Sequence, residues 1–306
     1  MRIAIVGAGA LGLYYGALLQ RAGHNLHFLL RSDYEAITRD GLYVYSPHGD
    51  FHLPEVKGYR SAEDMGEVDL VLIGLKTTAN ALMCHFVKPL VRKGVPILTL
   101  QNGLGNEEIL AGAFGPDDIL GGTAFLCSNR GKPGEVRHLD YGPITIGSHV
   151  GKHDELLPRL AKLFTDAGIP CTVTSSLKQT RWQKLVWNIP FNGLCAHCRA
   201  TTSALLEYHE MRMLVRQLML EVIAAANADL GGALIAQEFA DQMIASTQKM
   251  VDYRPSMMID REEERALELE AIYRIPLQRG EAAGIAMPRT AMLADLLAFE
   301  DDRLAR

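Results

Sequence analysis

The 306-residue chain is short of several things, and each shortage excludes something. It has no apolar run approaching the roughly 18 residues that a membrane-spanning helix requires. It has no surplus of basic charge: the formal net charge is −5, which argues against a general electrostatic attraction to nucleic acid or to anionic membrane. It has only five cysteines, an odd number, and its opening MRIAIVG enters an apolar run with no charged leader before it. Together these point to reduced thiols and a cytoplasmic protein. Two of the cysteines form Cys195-Ala-His-Cys198, but a metal site needs a second pair of ligands at regular spacing, and the sequence has none. Small buried thiols one helical turn apart are the expectation there.

What the chain does have is enough length for two domains and a hydrophobic share of 48% against 22% charged, the balance of a globular protein. In the first half, apolar runs at 2–6, 26–30, 68–75, 96–101 and 119–126 alternate with helical patterns such as 11–22 and 106–113. The first, third and fourth runs are nearly continuous Ile, Val and Leu, as in parallel strands covered on both faces. Residues 134–148 predict a β-hairpin turning at Tyr141-Gly142-Pro143, followed by a helix over 154–167 and an extended piece over 169–174. Beyond residue 176 the patterns are helical: 178–198, 203–229, 235–252, 258–283 and 288–299. The expected fold is α/β, an N-terminal Rossmann-like doubly wound sheet (1–175) followed by an all-helical C-terminal domain (176–306).

The opening strand leads into Gly7-Ala8-Gly9-Ala10-Leu11-Gly12. In a dinucleotide loop the first glycine permits a tight turn, the second lets backbone approach a pyrophosphate, and the third lets helix and strand pack closely. The helix N-terminus then offers unpaired N–H groups to the phosphates. At the end of the second strand, where an NAD-specific site has a carboxylate, this chain has Arg31-Ser32. A guanidinium can grip a 2′-phosphate with two hydrogen bonds, so the cofactor predicted is NADPH. Lys76, ending the third strand, adds positive charge on the same carboxyl-end face.

The stretch RWQKLVWNIPFNGL (181–194) sets Lys184, Asn188 and Asn192 four residues apart among Leu, Val, Trp, Ile and Phe. Such spacing keeps all three on one broad helix face, with a kink predicted at Pro190. Buried without partners, polar groups cost about 1–3 kcal/mol each. Two readings account for them: they cap loops or line a solvated crevice, or they form a pocket for a small, oxygen-rich anion.

With GAGALG at 7–12, Arg31, LK at 75–76, QNGLGNEE at 101–108, WQKLVWNIPFN at 182–192, PSMMID at 255–260, Glu268 and AAGIAMP at 282–288, the whole chain resembles the ketopantoate reductases. The resemblance implies NADPH-dependent reduction of ketopantoate to pantoate on the way to coenzyme A, and, by itself alone, a homodimer. It implies Lys184 as the general acid and Asn102 where nicotinamide and substrate meet. Asn188, Asn192 and Ser256 would hold substrate oxygens, in a cleft between the two domains. Glu268 would be a second catalytic residue, contacting substrate or cofactor near the lysine, and Ser128 would lie on a cofactor-facing loop after the strand ending at residue 126. Pattern alone does not separate Glu268 from Glu262, Glu263, Glu264 and Glu270. The chain departs from the family at Glu270 and Tyr273-Arg274, at Thr201-Thr202, and in the early Pro190, which leaves the exact 2-oxo acid open. The alternatives are an NAD(P)-dependent dehydrogenase of another small 2-oxo or 3-hydroxy acid, and a non-catalytic NADP(H)-binding sensor.

Overall fold

The computed structural model describes residues 1–153, 155–250 and 252–305. They form two compact units. The first comprises Met1–Gln101 and Asn106–Leu177, and the second comprises Lys178–Arg306 together with the four residues Asn102–Gly105.

The first unit is built on one sheet. Its strands are β1 (Arg2–Val6), β2 (Asn25–Leu29), β3 (Leu42–Tyr45), β4 (Phe51–Leu53), β5 (Lys57–Tyr59), β6 (Leu70–Ile73), β7 (Ile97–Thr99), β8 (Ile119–Arg130), β9 (Glu135–Ser148) and β10 (Cys171–Val173). Their order is β4-β3-β9-β8-β7-β6-β1-β2-β5, with β10 pairing β9. From β8 through β5 every pairing is parallel, while β8–β9 and β3–β4 are antiparallel. The unbroken apolar runs of β1 and β6 are buried on both faces, because side chains of alternate residues enter two separate cores. Ile3 and Ile5 join one with Leu13 and Phe28; Ala4 and Val6 join the other with Val71 and Met83. The helices of this unit are α1 (Ala10–Arg21), α2 (Tyr34–Asp40), α3 (Asn80–Val87), α4 (Asn106–Phe114) and α5 (Leu156–Asp166).

One expectation fails here. The segment 134–148 is not a hairpin: β9 is a single strand that pairs along β8, and the reversal occurs at 131–134. Tyr141-Gly142-Pro143 instead forms a bulge, where the register slips between Ala124/Ile144 and Leu126/Tyr141. Tyr141 (φ +60°) and Gly142 (φ +140°) absorb it. The tripeptide resembles a reversal in sequence because a bulge and a turn draw on the same residues. The three short strands within 42–59 carried no clear periodicity and were not anticipated.

The second unit is helical: α6 (Leu177–Cys198), α7 (Thr202–Glu207), α8 (His209–Leu230), α9 (Glu238–Thr247), α10 (Ser256–Glu262), α11 (Ile275–Ala282) and α12 (Pro288–Ala305). α6 runs unbroken through Pro190 and supplies much of the core, with Trp182, Leu185, Val186, Ile189 and Phe191 at or near zero exposure. Two predicted helices are divided. The run 203–229 breaks at Tyr208, which is extended (φ −83°, ψ 122°) between α7 and α8 without any glycine or proline to signal it. The run 258–283 ends α10 at Glu262, passes a loop in which Glu264 has φ +53°, and resumes in a π-helical turn (Glu270–Arg274) before α11. Cys195 is buried as expected, but Cys198 is exposed. Among the described residues, no helix is long and apolar enough to cross a membrane.

Candidate active site

The glycines of the first unit can be judged by what a β-carbon would meet. At Gly7 (φ +99°) it would lie 2.2 Å from the Leu75 backbone nitrogen, and at Gly12 2.2 Å from the Gly7 carbonyl oxygen. These two positions are closed by the protein's own backbone. Gly9 is different: a β-carbon there meets nothing within 4 Å. It is the N-cap of α1, with no side-chain cap and no acidic residue in the first turn. The helix end is therefore open, electropositive and bare of side chain, which suits a pyrophosphate. Ala8, Ala10 and Leu11 complete the same loop.

Arg31 and Lys76 follow β2 and β6, the two strands that flank β1. Both are exposed. The Gly7–Gly12 loop, Arg31 and Lys76 thus all follow the carboxyl ends of three adjacent parallel strands, where a doubly wound sheet offers its binding crevice. Next to Arg31, the Arg130 guanidinium donates to Ser32 Oγ at 3.1 Å and pairs with the buried carboxylate of Asp33. Sequence reasoning passed over Arg130, since nothing local ties the end of β8 to the end of β2. Ser128 does not lie where the sequence suggests. β8 continues to Arg130, so Ser128 lies within a strand opposite His138, not on a loop.

In the second unit, the Lys184 ammonium donates to Asn102 Oδ1 at 2.7 Å. The Asn102 amide in turn donates to Glu268 Oε2 across a long 3.3 Å. Lys184 lies in the first half of α6, Asn102 just beyond β7, and Glu268 in the loop before the π-helical turn, 166 residues from Asn102. Lys184 keeps partial exposure along its side chain. Its ammonium is nevertheless crowded enough that burial, reinforced by the charge of Arg181, lowers its pKa to about 7 against the opposing pull of Glu268. Arg181 was also overlooked. It is 3% exposed and sits three residues before Lys184 on α6, a spacing the sequence did display.

Glu268 stands apart from its acidic neighbours once folded. Glu262, Glu263, Glu264 and Glu270 are exposed, and the first two pair with Arg254 and Arg265; Glu268 is 4% exposed. Further along α6, Asn188 and Asn192 are almost fully buried. Asn192 Oδ1 accepts long hydrogen bonds, both 3.4 Å, from Ser256 Oγ and the Met257 backbone. The Nδ2 group of Asn188 is buried with no protein partner. A buried amide left so is costly unless it serves a ligand.

The departures have local explanations. Tyr273 is fully buried, donates to the Ile189 carbonyl at 2.8 Å, and fills the space beside Gly193, where a β-carbon would lie 2.4 Å from its hydroxyl oxygen. Arg274 pairs with Asp295, Glu270 is exposed, and Thr201 caps α7 by accepting from the Ala204 backbone. Tyr273 and Thr201 therefore have structural work within the helical unit.

Comparison with known proteins decides the family. Residues 3–151 match the model for ketopantoate reductase PanE/ApbA, and residues 176–300 match its C-terminal counterpart. The chain belongs to the ketopantoate reductase family. A 2-dehydropantoate 2-reductase from Nostoc sp. is 43% identical over 99% of this chain and 96% of its own. The crystal structure of 2-dehydropantoate 2-reductase from Geobacter metallireducens is 57% identical, with a TM-score of 0.96 over 98% of this chain and 99% of the other. A D-mandelate dehydrogenase solved with NADH and anilino(oxo)acetate has a TM-score of 0.90 over the full length of both chains at 22% identity, a likeness of fold alone.

Proposed function

We propose that this chain reduces 2-dehydropantoate to pantoate with NADPH. The observation that carries the proposal is a crowded lysine, Lys184, hydrogen-bonded to Asn102 on a helix whose next turn presents the unpartnered amide of Asn188. When bound, NADPH would supply a hydride, one proton carrying two electrons, for the C2 ketone. The developing alkoxide needs one proton, and Lys184, with a pKa near neutrality, is suited to give it. Asn102 aims the ammonium by accepting one of its hydrogens. Asn188, Asn192 and Ser256 hold the substrate's carboxylate and hydroxyl oxygens, the amides donating without adding a second charge. Glu268 acts through Asn102 and through its field at the lysine.

Gly7 through Gly12 would hold the pyrophosphate, and Arg31 and Lys76 would favour the 2′-phosphate. Asp33, two residues past Arg31, is already paired with Arg130, which supports NADPH over NADH. Residues 1–175 serve the cofactor, and 176–306 serve substrate and dimerisation, in a cytoplasmic homodimer. Met292, Leu296 and Phe299, exposed along one face of α12, support the dimer.

The test is NADPH oxidation with ketopantoate against a panel of 2-oxo acids, using wild type, Lys184→Ala and Arg31→Ala. Preference for ketopantoate, a loss of about 10²–10⁴ in kcat without the lysine, and weakened NADPH binding without the arginine are expected. Equal turnover of unrelated 2-oxo acids would sink the substrate assignment.

A further inference from the structure

Asn80 opens α3, after the 3-10 turn that follows Lys76. It is partly buried, and its side-chain amide is used at both ends. Its Oδ1 accepts from Gln101 Nε2 at 2.8 Å, and its Nδ2 donates to Asn106 Oδ1 at 2.8 Å. Gln101 immediately precedes Asn102–Gly105, and Asn106 immediately follows it. One side chain thus ties together the two residues that bracket the segment carrying Asn102.

The surroundings make this tie consequential. Gln101 is 3% exposed and Asn106 fully buried, and Gln101 Oε1 is also taken by Thr99 Oγ1 at 2.9 Å. Buried amides matched in this way hold one geometry, because exchange with water is not available to them. The four residues between the ends are Asn-Gly-Leu-Gly, with Gly103 and Gly105 at φ +80° and +91°. A segment with two glycines in the left-handed region has many alternatives when its ends are loose.

We propose that Asn80 is a positioning residue for the reduction, closing the Asn102–Gly105 loop so that Asn102 meets the Lys184 ammonium. This rests on the roles given to Lys184 and Asn102 above. Asn80 acts through Asn102, and its loss lets the amide that orients the ammonium wander. A displacement of about 1 Å in a catalytic array can cost up to a hundredfold in rate; about tenfold is expected here, since Gln101 keeps Thr99.

The test uses the full chain with NADPH and ketopantoate, in Asn80→Ala, Asn102→Ala and the double variant. Asn80→Ala should lose about tenfold in kcat with NADPH affinity, read by its fluorescence, changed less than about twofold. The double variant should be no slower than Asn102→Ala alone, because residues acting as one unit are not additive. Multiplying losses would overturn the proposal. A second readout is the pH at which Lys184 becomes reactive toward an amine-labelling reagent, followed by mass spectrometry. Without a steady Asn102 acceptor the ammonium is less favoured, so labelling should begin at lower pH in Asn80→Ala. An unmoved labelling curve also overturns the proposal. Labelling needs no substrate, so a wild type inert toward ketopantoate would defeat the functional assignment while the curve still decided the tie. If Asn80→Ala fails to bind NADPH, Asn80→Ser, whose hydroxyl is too short to span both partners, takes its place with the same expected outcomes.

Discussion

Replacing Lys184 by methionine should make the protein more stable and catalytically disabled, with a stability gain that shrinks as pH rises. In the native protein the lysine titrates near 7; in the unfolded chain it titrates near 10.5. Below about pH 7 both states carry the ammonium, and the native state bears the full cost of holding it away from water. Between the two values the unfolded chain binds the extra proton, so wild-type stability climbs with pH; above the upper value both states are neutral and the cost is gone. One proton gives a slope of at most 1.36 kcal/mol per pH unit. Halving that for the partial exposure of the side chain leaves a change of about 1–1.5 kcal/mol over about two pH units. The assay is urea unfolding of wild type and Lys184→Met at about pH 7.5 and 9.5, with the difference in midpoints multiplied by the common m-value. A narrowing gap is expected. A gap that stays constant would mean that Lys184 titrates normally, and would refute the account of its acidity.

The kinetic limb reports the same group. As a proton donor, Lys184 is active when charged, so kcat falls as pH rises through its pKa. Glu268→Gln should move that fall to lower pH and Arg181→Met to higher pH, since the first charge supports the ammonium and the second opposes it; shifts in the same direction would discard the electrostatic account. Gly12→Ala should destabilise the fold, as its β-carbon meets the Gly7 carbonyl, whereas Gly9→Val should leave the melting temperature near wild type and weaken NADPH at least tenfold (about 1.4 kcal/mol). Equal damage at both positions in melting would contradict the open approach at Gly9. Light scattering should give a dimer mass for wild type, and a smaller mass for Phe299→Glu; an unchanged mass would remove α12 from the interface.

Much of the fold was legible because the physics involved is local. β1, β2, β6 and β7 were visible as apolar runs, and the Gly7–Gly12 loop was visible because its three glycines serve backbone geometry within six residues. The long helix α6 was clear from its pattern, and its three polar residues were conspicuous in an apolar setting. The breaks at Tyr208 and after Glu262 were not legible. A helix interrupted without glycine or proline is interrupted by what it packs against, which periodicity does not report.

Sequence by itself determined the class of fold, and it singled out the glycine loop and the lysine on which the proposed function rests, since each depends on residues close together in the chain. Tertiary structure alone decided which of five neighbouring glutamates is buried beside Asn102, that Arg181 lowers the lysine's pKa while Glu268 raises it, and that Asn80 spans the ends of the Asn102 loop. Burial and Coulomb interactions depend on distance in space, and the partners concerned lie up to 166 residues apart in sequence.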